Sequence, residues 1–514
     1  MSLTQTGCAS KDQDVTPRLS GPESLRQGVE QLARFVEMSA QDGTAAHVVE
    51  DGIWRQLLGL GRMALGHFFD QVGDGDLGEE VTLSDESIVR RLLFPHTRPY
   101  QSIFGPFEIS RAVYGSREGQ KIEWVPLDQR LDLPESKFSY LLQDWDQHLV
   151  VENPYASVNR TLERILGFSQ SIDSLERMSR KMAAPVVDFL DTLPSPAADE
   201  EGELMVLSAD GKGIPIRRQA EKGPITASPS SGPRPGAKKM ALLGASYSVD
   251  RHRRTPEDVL RALFRLPTAE DPSLTRPSPQ HKRLRASLER SEDGDTQPAM
   301  AEIFGWLDSE RETRNPDATK PLIVLMDGQR SLWEAAATYF PEESIEILDL
   351  LHVTPRLWEA AYLFHPKTGP SAAQFVRQRV LRVLKGECRG VVIGLRRMGT
   401  VSGLTGRKRK KLERICRYLE NNAHRMQYDR YLAAGYPIAT GVIEGACRHL
   451  AKDRLERTGM HWVLDGAQAV LDLRSVHLSG QWEPFQKYRI ANDNERQDPR
   501  GKAFLETVKW PIAA

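Results

Sequence analysis

Cysteine is scarce in this chain of 514 residues, and the few cysteines present are not paired in sequence. The four, Cys8, Cys388, Cys416 and Cys447, lie apart, and none belongs to a C-x-x-C motif. This spacing argues against a disulfide framework and against a zinc ribbon, and it is typical of proteins in a reducing compartment. We therefore expect a cytoplasmic protein whose stability does not depend on disulfides.

The chain also lacks long apolar runs and an excess of either charge. No run of about 18 apolar residues occurs, so we expect no transmembrane helix and no membrane partner. The first residues are polar and of mixed charge, unlike a signal peptide. Lys and Arg total 69 against 70 Asp and Glu, a net charge of −1. A neutral chain can still bind nucleic acid if its basic residues cluster, so this balance excludes no partner. The length predicts two to four domains.

Two apolar runs that end in Asp-Gly are the most informative pattern present. They are Leu204–Gly211 and Leu322–Gly328. Such runs predict strands buried on both faces, which usually belong to a central sheet with parallel strands. An Asp at the carboxyl end of such a strand lies where open α/β sheets bind ligands, and two neighbouring carboxylates suit a hard divalent cation. The alternative is turn chemistry, because Asp-Gly after a strand is also a common turn.

The order of predicted elements indicates a mixed α/β fold. From residue 203 onward the order is β-β-β-α-β-α-β, then a helical block and a closing helix. The first three strands are predicted up to Asp210, from Ile214, and over Met240–Val249, and residues 266–298 are predicted as a polar surface excursion. This is the order of the ribonuclease H fold, a mixed five-stranded sheet whose first and fourth strands are parallel neighbours. In that fold Asp210 and Asp327 would be adjacent.

The remaining segments differ in composition and periodicity. Residues 156–178 show an apolar-faced helix, a turn at Gly167 and a second helix, which predicts a helix-turn-helix; an ordinary helical hairpin is the alternative. The predicted organisation is a disordered tail (1–22), a helical and β-hairpin region (23–150), the helix-turn-helix candidate (151–195), the first part of a catalytic core (203–354), a helical insertion (355–435), the closing helix of the core (436–480) and an irregular tail (481–514).

Two-metal chemistry usually needs a third acid beside the two Asp residues. Asp349, predicted on the next strand, and Glu444, predicted on the closing helix, are candidates. For Glu444 the alternative is a surface ion pair with Arg448, four residues later on the same helix.

Several motifs together resemble the ISKra-type transposases of bacterial insertion sequences, over about residues 98–478. The matching strings are Ser208–Gly213, Gly244–Asp250, Arg254–Glu257, Met326–Gln329, Asp349–His352 and Gly441–Gly445. The resemblance implies an RNase H-like DDE transposase whose triad is Asp210, Asp327 and Glu444, holding two Mg²⁺ (or Mn²⁺) ions. Each gap in this triad is 117 residues (327−210 and 444−327).

The resemblance also bears on accessory groups. It implies an accessory acid-x-x-His element at Asp349 and His352, for which a structural histidine is the alternative. Relatives often carry a small Cys-containing ribbon near residues 97–127, and this chain has no cysteine there. We therefore expect no metal-stabilised DNA-binding module in that region.

A transposase must hold DNA ends and target, so basic residues should flank the carboxylates. Solvated surface loops are the alternative for the two basic clusters, and a buried core position is the alternative for the tryptophan. The predicted DNA contacts are Lys212, Arg217, Arg218, Lys238, Lys239, Arg407, Lys408, Arg409, Lys410, Lys411, Arg448 and Trp462.

The sequence thus predicts a DNA transposase that binds double-stranded DNA, both terminal inverted repeats and target. The expected enzyme is a homo-oligomer on DNA in the bacterial cytoplasm, associated with the nucleoid. Two alternatives stay open at this point. One is a nuclease of the same fold that cuts without joining, and the other is a helix-turn-helix DNA-binding protein without activity.

Overall fold

The computed structural model describes residues 21–115, 122–217, 238–266, 276–292, 295–457, 460–496, 498–508 and 510. The chain divides into two compact units. The first unit comprises the described residues up to Val150, then Tyr155–Leu175 and the residues from Gln486 onward; the second comprises Val151–Pro154 and Glu176–Phe485. Each unit is therefore built from segments that are separate in sequence.

The N-terminal part of the chain is helical, with a small β-region. The elements are α1 (Pro22–Gln41), α2 (Ala46–Val72), β1 (Glu80–Thr82), β2 (Ile88–Arg91), β3 (His96–Ser102), β4 (Gly105–Arg111), β5 (Tyr114–Gly115), α3 (Pro126–Arg130), α4 (Tyr140–Glu152), α5 (Tyr155–Leu166) and α6 (Ile172–Ala183). Strands β3 and β4 pair antiparallel from His96–Arg111 to Ser102–Gly105. The strand, tight turn and strand predicted within residues 97–127 are confirmed.

The two helices of the helix-turn-helix candidate are present as α5 and α6. Helix α5 buries Tyr155, Val158, Leu162 and Leu166, the 3-4-4 spacing of an amphipathic helix. Gly167 has φ +80°, a left-handed conformation that favours glycine and ends the helix. The division between the two units falls inside α6, between Leu175 and Glu176.

The second unit alternates strands and helices before a long helical stretch. Its elements are α7 (Val186–Asp191), β6 (Leu204–Pro215), β7 (Lys238–Val249), α8 (Pro256–Leu263), β8 (Gln280–Leu288), β9 (Arg290–Glu292), β10 (Asp295–Gln297), α9 (Ala299–Arg314), β11 (Leu322–Met326), α10 (Arg330–Tyr339), β12 (Ile345–Leu348), α11 (Leu350–Phe364), α12 (Pro370–Leu384), α13 (Cys388–Val401), α14 (Gly406–Asn421), a 3₁₀ turn (Ala423–Arg425), α15 (Tyr428–Ala434), α16 (Gly441–Ala446), a π-helical turn (Cys447–Lys452), α17 (Asp453–Leu455) and α18 (Leu464–Leu478).

A mixed five-stranded sheet forms the centre of the second unit. Its order is β12-β11-β6-β7-β8. Strand β6 runs parallel to β11, and β11 runs parallel to β12, whereas β7 is antiparallel to both β6 and β8. The predicted mixed sheet, with its first and fourth strands as parallel neighbours, is therefore confirmed.

The identity of the strands differs from the prediction in two places. Strand β6 continues unbroken to Pro215, so Ile214 does not begin a second strand. Asp210 pairs with Leu243 of β7 inside this ladder, which rules out a turn at Asp210. The third strand is β8, inside residues 266–298, which were wrongly predicted to be a surface excursion.

Charged residues conceal β8 in the sequence. Leu284, Ala286 and Leu288 alternate inward, as in a strand with a buried face. Arg283 and Arg285, whose side chains alternate with these apolar ones, look exposed by type, but both are largely buried and form ion pairs with acidic residues of α7 or α9.

The sheet is covered on both faces. Leu204 and Val206 of β6 join the core formed with the helical stretch α11–α15. Met205, Leu207 and Ala209 join the core formed with α9 and α10. The helices within residues 355–435 were predicted as an insertion, and they form a packed layer on the first of these faces.

The C-terminal segment is also regular, contrary to the prediction of an irregular tail for 481–514. It contains α19 (Trp482–Glu495) and α20 (Pro499–Thr507). Gln129 Nε2 donates to the Asp498 carbonyl at 2.7 Å, and the Phe504 ring meets the Trp124 ring edge-on at 5.9 Å. The segment is rich in Asp, Asn and Arg, so its composition hides helices that tertiary contacts stabilise. Within the described residues, no helix combines the length and apolarity needed to cross a membrane.

Candidate active site

The parallel register of β6 and β11 brings Asp210 and Asp327 together. Leu322 pairs with Met205, and counting five residues along each strand brings Asp327 level with Asp210. Neighbouring strands lie about 4.8 Å apart, so the two carboxylates start from adjacent backbone positions. Asp327 follows the last residue of β11, as predicted, whereas Asp210 lies within β6.

Electrostatics support this proximity. Burial raises the pKa of Asp327, and the neighbouring Asp210 charge raises it further. One Asp327 oxygen accepts the backbone N–H of Gln329 at 2.8 Å, and its carbonyl accepts Trp333 Nε1 at 2.7 Å, so the loop after β11 is fixed.

Glu444 approaches the same place from α16. Burial raises the pKa of Glu444, and the charges of Asp349 and Asp210 add to this effect. The π-helical turn that follows α16 also touches β6, because Cys447 Sγ donates to Asp210 Oδ2 at 3.1 Å. The structure therefore brings all three carboxylates of the predicted triad to one end of the sheet.

Asp349 and His352 complete the cluster. Asp349 was predicted to lie on a strand, and this prediction is wrong. It caps α11, where its side chain accepts the Leu351 N–H at 2.8 Å. Its other oxygen accepts the Thr440 hydroxyl, and burial raises its pKa. His352 Nε2 lies 3.9 Å from Asp349 Oδ2 and 3.8 Å from Glu444 Oε1.

The donor set fits a divalent cation. Among the described residues, one group of His, Cys, Asp and Glu has ligand atoms all within 4.8 Å of one another, and it is Asp349, His352 and Glu444. Asp210 and Asp327 stand beside it in a more open arrangement. The charge of Asp210 raises the pKa of Asp327, and the charges of Asp349 and Asp210 raise that of Glu444, so a bound cation would relieve this repulsion.

Three further residues contact this cluster and were missed in the sequence. Cys447 and Thr440 donate to Asp210 and Asp349, and Tyr418 packs against the loop after β11, where a Cβ on Gly328 would lie 2.3 Å from its ring. Burial and the Asp327 charge raise the pKa of Tyr418 to about 12. Only the position of Cys447 and Thr440 beside Glu444 in the sequence could have pointed to them; Tyr418 gives no sequence signal.

The surface ion pair considered for Glu444 does not form. Arg448 pairs instead with Asp453 at 3.7 Å. Arg448 is highly exposed, with 71% of its side chain accessible, so it remains available as a predicted DNA contact.

Two predicted DNA contacts flank the carboxylates on the β6–β7 ladder. Lys212 Nζ lies 3.3 Å and Lys238 Nζ lies 2.8 Å from the carboxylate of Glu456, so two ammonium groups share one acid. Lys239, opposite Ile214 in the ladder, is exposed. Arg217 Nε donates to the His461 carbonyl at 3.1 Å, and Arg218 lies outside the described residues.

The basic cluster 407–411 forms the first turns of α14. Arg407, Lys408 and Lys410 are exposed, whereas Arg409 donates to Thr400 at 3.3 Å and Lys411 pairs with an acid of α11. The cluster lies on the same helix as Tyr418, about two to three turns away, or roughly 10–16 Å at 1.5 Å per residue.

Trp462 is not available for base stacking. Only 8% of the residue is exposed, its Nε1 donates to the Leu455 carbonyl at 3.1 Å, and the Arg454 guanidinium lies 4.9 Å from its ring. The ring is enclosed by its own chain, which favours the alternative of a buried core position over a DNA contact at Trp462.

Comparison with known proteins does not assign the chain to a family. No family model matches the chain, and no curated protein sequence matches it. Among solved structures the chain is similar to the Drosophila P element transposase strand transfer complex, at 10% identity over 72% of this chain and 84% of that chain, with a TM-score of 0.25. A TM-score this low does not establish a shared fold, so function must be inferred from the residues of this chain.

Proposed function

We propose that this chain is a DNA transposase of the RNase H-like DDE type. The single observation that carries the proposal is the β6–β11 register, which sets Asp210 beside Asp327 with Glu444 and its helix next to Asp210. The strand order β12-β11-β6-β7-β8 is the order expected of the RNase H-like sheet. The motif resemblance to ISKra-type transposases supports the same assignment.

Some residues of the site would bind metal ions, and others would orient those ligands. Asp210, Asp327 and Glu444 would hold two Mg²⁺ (or Mn²⁺) ions, and Asp349 with His352 would hold or orient ligands on the Glu444 side. The bound ions would activate the attacking oxygen and stabilise charge on the phosphate. Thr440 and Cys447 keep Asp349 and Asp210 in fixed orientations.

The chemistry consists of two phosphoryl transfers. Water attacks a phosphodiester at the element end, the bond from phosphorus to the 3′-oxygen breaks, and a free 3′-hydroxyl remains. That hydroxyl then attacks a target phosphodiester, which forms a new strand joint and releases a target 3′-hydroxyl. No oxidant or reductant is required. The exposed basic side chains of α14 and β7 would contact DNA phosphates.

A strand-transfer assay tests the proposal. The substrate is duplex DNA carrying the sequences that flank the coding region, with Mg²⁺ or Mn²⁺. We expect the native chain to cut and join, Asp327→Asn to do neither, and Asp317→Asn to behave as the native chain, because Asp317 is exposed and precedes β11, whereas Asp327 follows the opposite end of that strand. Cutting without joining would identify a nuclease, and binding without cutting would identify a DNA-binding protein; either result overturns the proposal.

A further inference from the structure

A cavity of about 360 Å³ lies beside the candidate active site. Its walls include Tyr247 of β7 and Val442 of α16, and the three basic residues that face it are His252, Arg254 and Arg276. The cavity opens within the second unit, so all of these residues belong to one compact body.

The three basic groups repel one another. Burial lowers the pKa of Arg254, and the charge of Arg276 lowers it further. Burial also lowers the pKa of His252, with Arg254 and Arg276 adding to the effect. Grouping two guanidinium groups and an imidazole around one cavity costs free energy unless an anion balances the charge.

Among the described residues, acids balance these groups only in part: the charge of Asp258 opposes the lowering of the pKa of His252 and Arg254. Asp250 lines the cavity, but its oxygens accept the Glu203 N–H at 3.3 Å and Gln280 Nε2 at 3.5 Å. Asp258 is held in the capping box of α8 and by Arg261 at 2.6 Å. Within the described part of the chain, His252, Arg254 and Arg276 therefore make no ion pair with a carboxylate.

Hydrogen bonds to backbone carbonyls fix the residues that line the cavity. Arg254 donates to the carbonyls of His252 and Tyr436 at 3.3 and 3.2 Å, which fixes its guanidinium. The His252 N–H donates to the carbonyl of Gly435 at 2.9 Å. Gly435 has φ +80°, and a Cβ there would lie 2.8 Å from Arg251 and 3.0 Å from the His252 nitrogen. The cavity is a built feature rather than a gap between mobile side chains.

The cavity adjoins the carboxylate cluster through two elements. Arg276 Nη2 lies 3.8 Å from the position of a Cβ on Gly441, the first residue of the helix that carries Glu444. Tyr247 is buried and senses both sites, since the charge of Arg276 lowers the pKa of its hydroxyl and the charge of Asp349 raises it. The cavity wall thus includes the first residue of α16, Gly441, which lies about one helical turn before Glu444.

We propose that this cavity binds a phosphate group, supplied by the DNA backbone next to the phosphodiester that reacts. The proposal rests on the function proposed above, and it names a phosphate contact separate from the exposed basic residues of β7 and α14. Two arginines and a histidine provide charge and several N–H donors to one anion, as phosphate sites commonly do.

Salt-dependent DNA binding tests the site. The probe is a fluorescent 30-base-pair duplex of arbitrary sequence, titrated by anisotropy with native protein, Arg276→Gln and the control Arg253→Gln. Arg253 is exposed, adjacent to Arg254 and not part of the cavity wall. Losing one phosphate contact should reduce the slope of log K against log salt by about 1 and weaken binding severalfold for Arg276→Gln. Arg253→Gln should match the native chain.

A second experiment tests whether the cavity binds a phosphate of the DNA backbone or a free phosphate anion. Calorimetric titration with inorganic phosphate should show weak binding to the native chain that Arg276→Gln loses, and the phosphate should weaken DNA binding in competition. Phosphate binding that leaves DNA affinity unchanged would assign the cavity to a free anion and overturn the DNA source. Equal DNA binding by Arg276→Gln and the native chain, or equal losses in both variants, would overturn the site.

The cleavage assay keeps the two proposals distinct. An Asp327→Asn protein should retain the full effect of Arg276→Gln on DNA binding, because the cavity acts through binding alone. If the native chain cuts and joins but Arg276→Gln binds normally, the cavity proposal fails while the function stands. If the chain neither cuts nor joins but Arg276→Gln loses the contact, the function fails while the cavity stands.

Discussion

At the scale of single residues, neutral donors orient the carboxylates of the candidate active site. Asp210 accepts the thiol of Cys447, and Asp349 accepts the hydroxyl of Thr440. Burial and the Asp210 charge raise the pKa of Cys447 far above that of an ordinary thiol, so the thiol stays protonated and donates. A neutral donor fixes the direction of a carboxylate without cancelling the negative charge that a cation requires.

Cys447→Ala removes the donor to Asp210. We expect the cleavage rate to fall by about fivefold, because a hydrogen bond of about 1 kcal/mol that orients Asp210 is lost. Cys447→Ser retains a hydroxyl donor and should keep most of the rate. Single-turnover cleavage at saturating Mg²⁺ measures both variants. Equal rates for the native chain and Cys447→Ala would show that the thiol has no orienting role.

Asp146 provides a pH-dependent prediction in the first unit. Its side chain is fully buried, and Gln170 Nε2 donates to its two oxygens at 2.9 and 2.7 Å. Burial raises its pKa to about 7, against about 3.9 in an unfolded chain. The folded state therefore binds more protons between about pH 4 and pH 7, and stability falls as pH rises through that range.

Asp146→Asn should remove this dependence. Above pH 7 we expect the variant to be more stable than the native chain, on the order of 4 kcal/mol, because no buried charge must form. Below about pH 4 the difference should vanish. Urea unfolding at pH 4 to 8 measures the effect, with exposed Asp70→Asn as the control. A constant difference at every pH would contradict the titration of Asp146.

At the scale of elements, strands made of apolar residues could be predicted from the sequence, whereas a strand that carries charged residues could not. β7, β11 and β12 are apolar runs that local pattern suffices to find. β8 was missed because its arginines are neutralised by acids more than 15 residues away in sequence. The end of β6 was misplaced because Asp-Gly suits a turn, and only pairing with β7 decides that the strand continues.

The helix of Glu444 shows the same limit. A closing helix was predicted around Glu444, and after Ala446 the chain widens into a π-helical turn at Cys447–Lys452. That turn brings Cys447 against Asp210, a contact between residues 237 positions apart. Sequence pattern predicted Asp210 and Asp327, and the motif resemblance added Glu444, whereas the groups that contact these acids depend on long-range packing that no local pattern records.

Gly244 tests the packing of α9 on the sheet. A Cβ at Gly244 would lie 2.8 Å from Ile303 and 2.9 Å from Trp306, both buried in α9. Gly244→Ala should therefore destabilise the second unit by about 1–3 kcal/mol through overpacking. Gly305 lies in α9, and a Cβ there would lie 3.8 Å from Tyr339, an ordinary contact distance. Gly305→Ala should therefore be neutral or slightly stabilising. Urea unfolding compares them, and equal effects would contradict the close approach.

At the scale of the whole molecule, the C-terminal helices belong with the N-terminal segment. Residues from Gln486 onward cluster with the described residues up to Val150. Trp510 Nε1 donates to the Val72 carbonyl at 2.8 Å, and Arg489 Nη1 donates to Gln143 at 2.9 Å. The predicted irregular tail is thus a structural part of the first unit.

Deletion of residues 486–514 should weaken the first unit selectively. It removes the partners of Trp124, Gln129, Gln143 and Val72 described above, while the second unit ends at Phe485. We expect a lower melting temperature for one of two calorimetric transitions and little change in the other. Phe504→Ala should shift the same transition by a smaller amount. A single transition, or equal shifts in both, would contradict the division into units.

The spacing of the three triad acids along the chain has a consequence for protein synthesis. Asp210 and Asp327 can pair as soon as β6 and β11 have formed, but Glu444 and Cys447 are translated more than 100 residues later. A nascent polypeptide that still lacks α16 therefore holds two acids without the third. Under the proposed function, ribosome-bound or prematurely terminated products would be unable to break chromosomal DNA, and only finished molecules would carry that hazard.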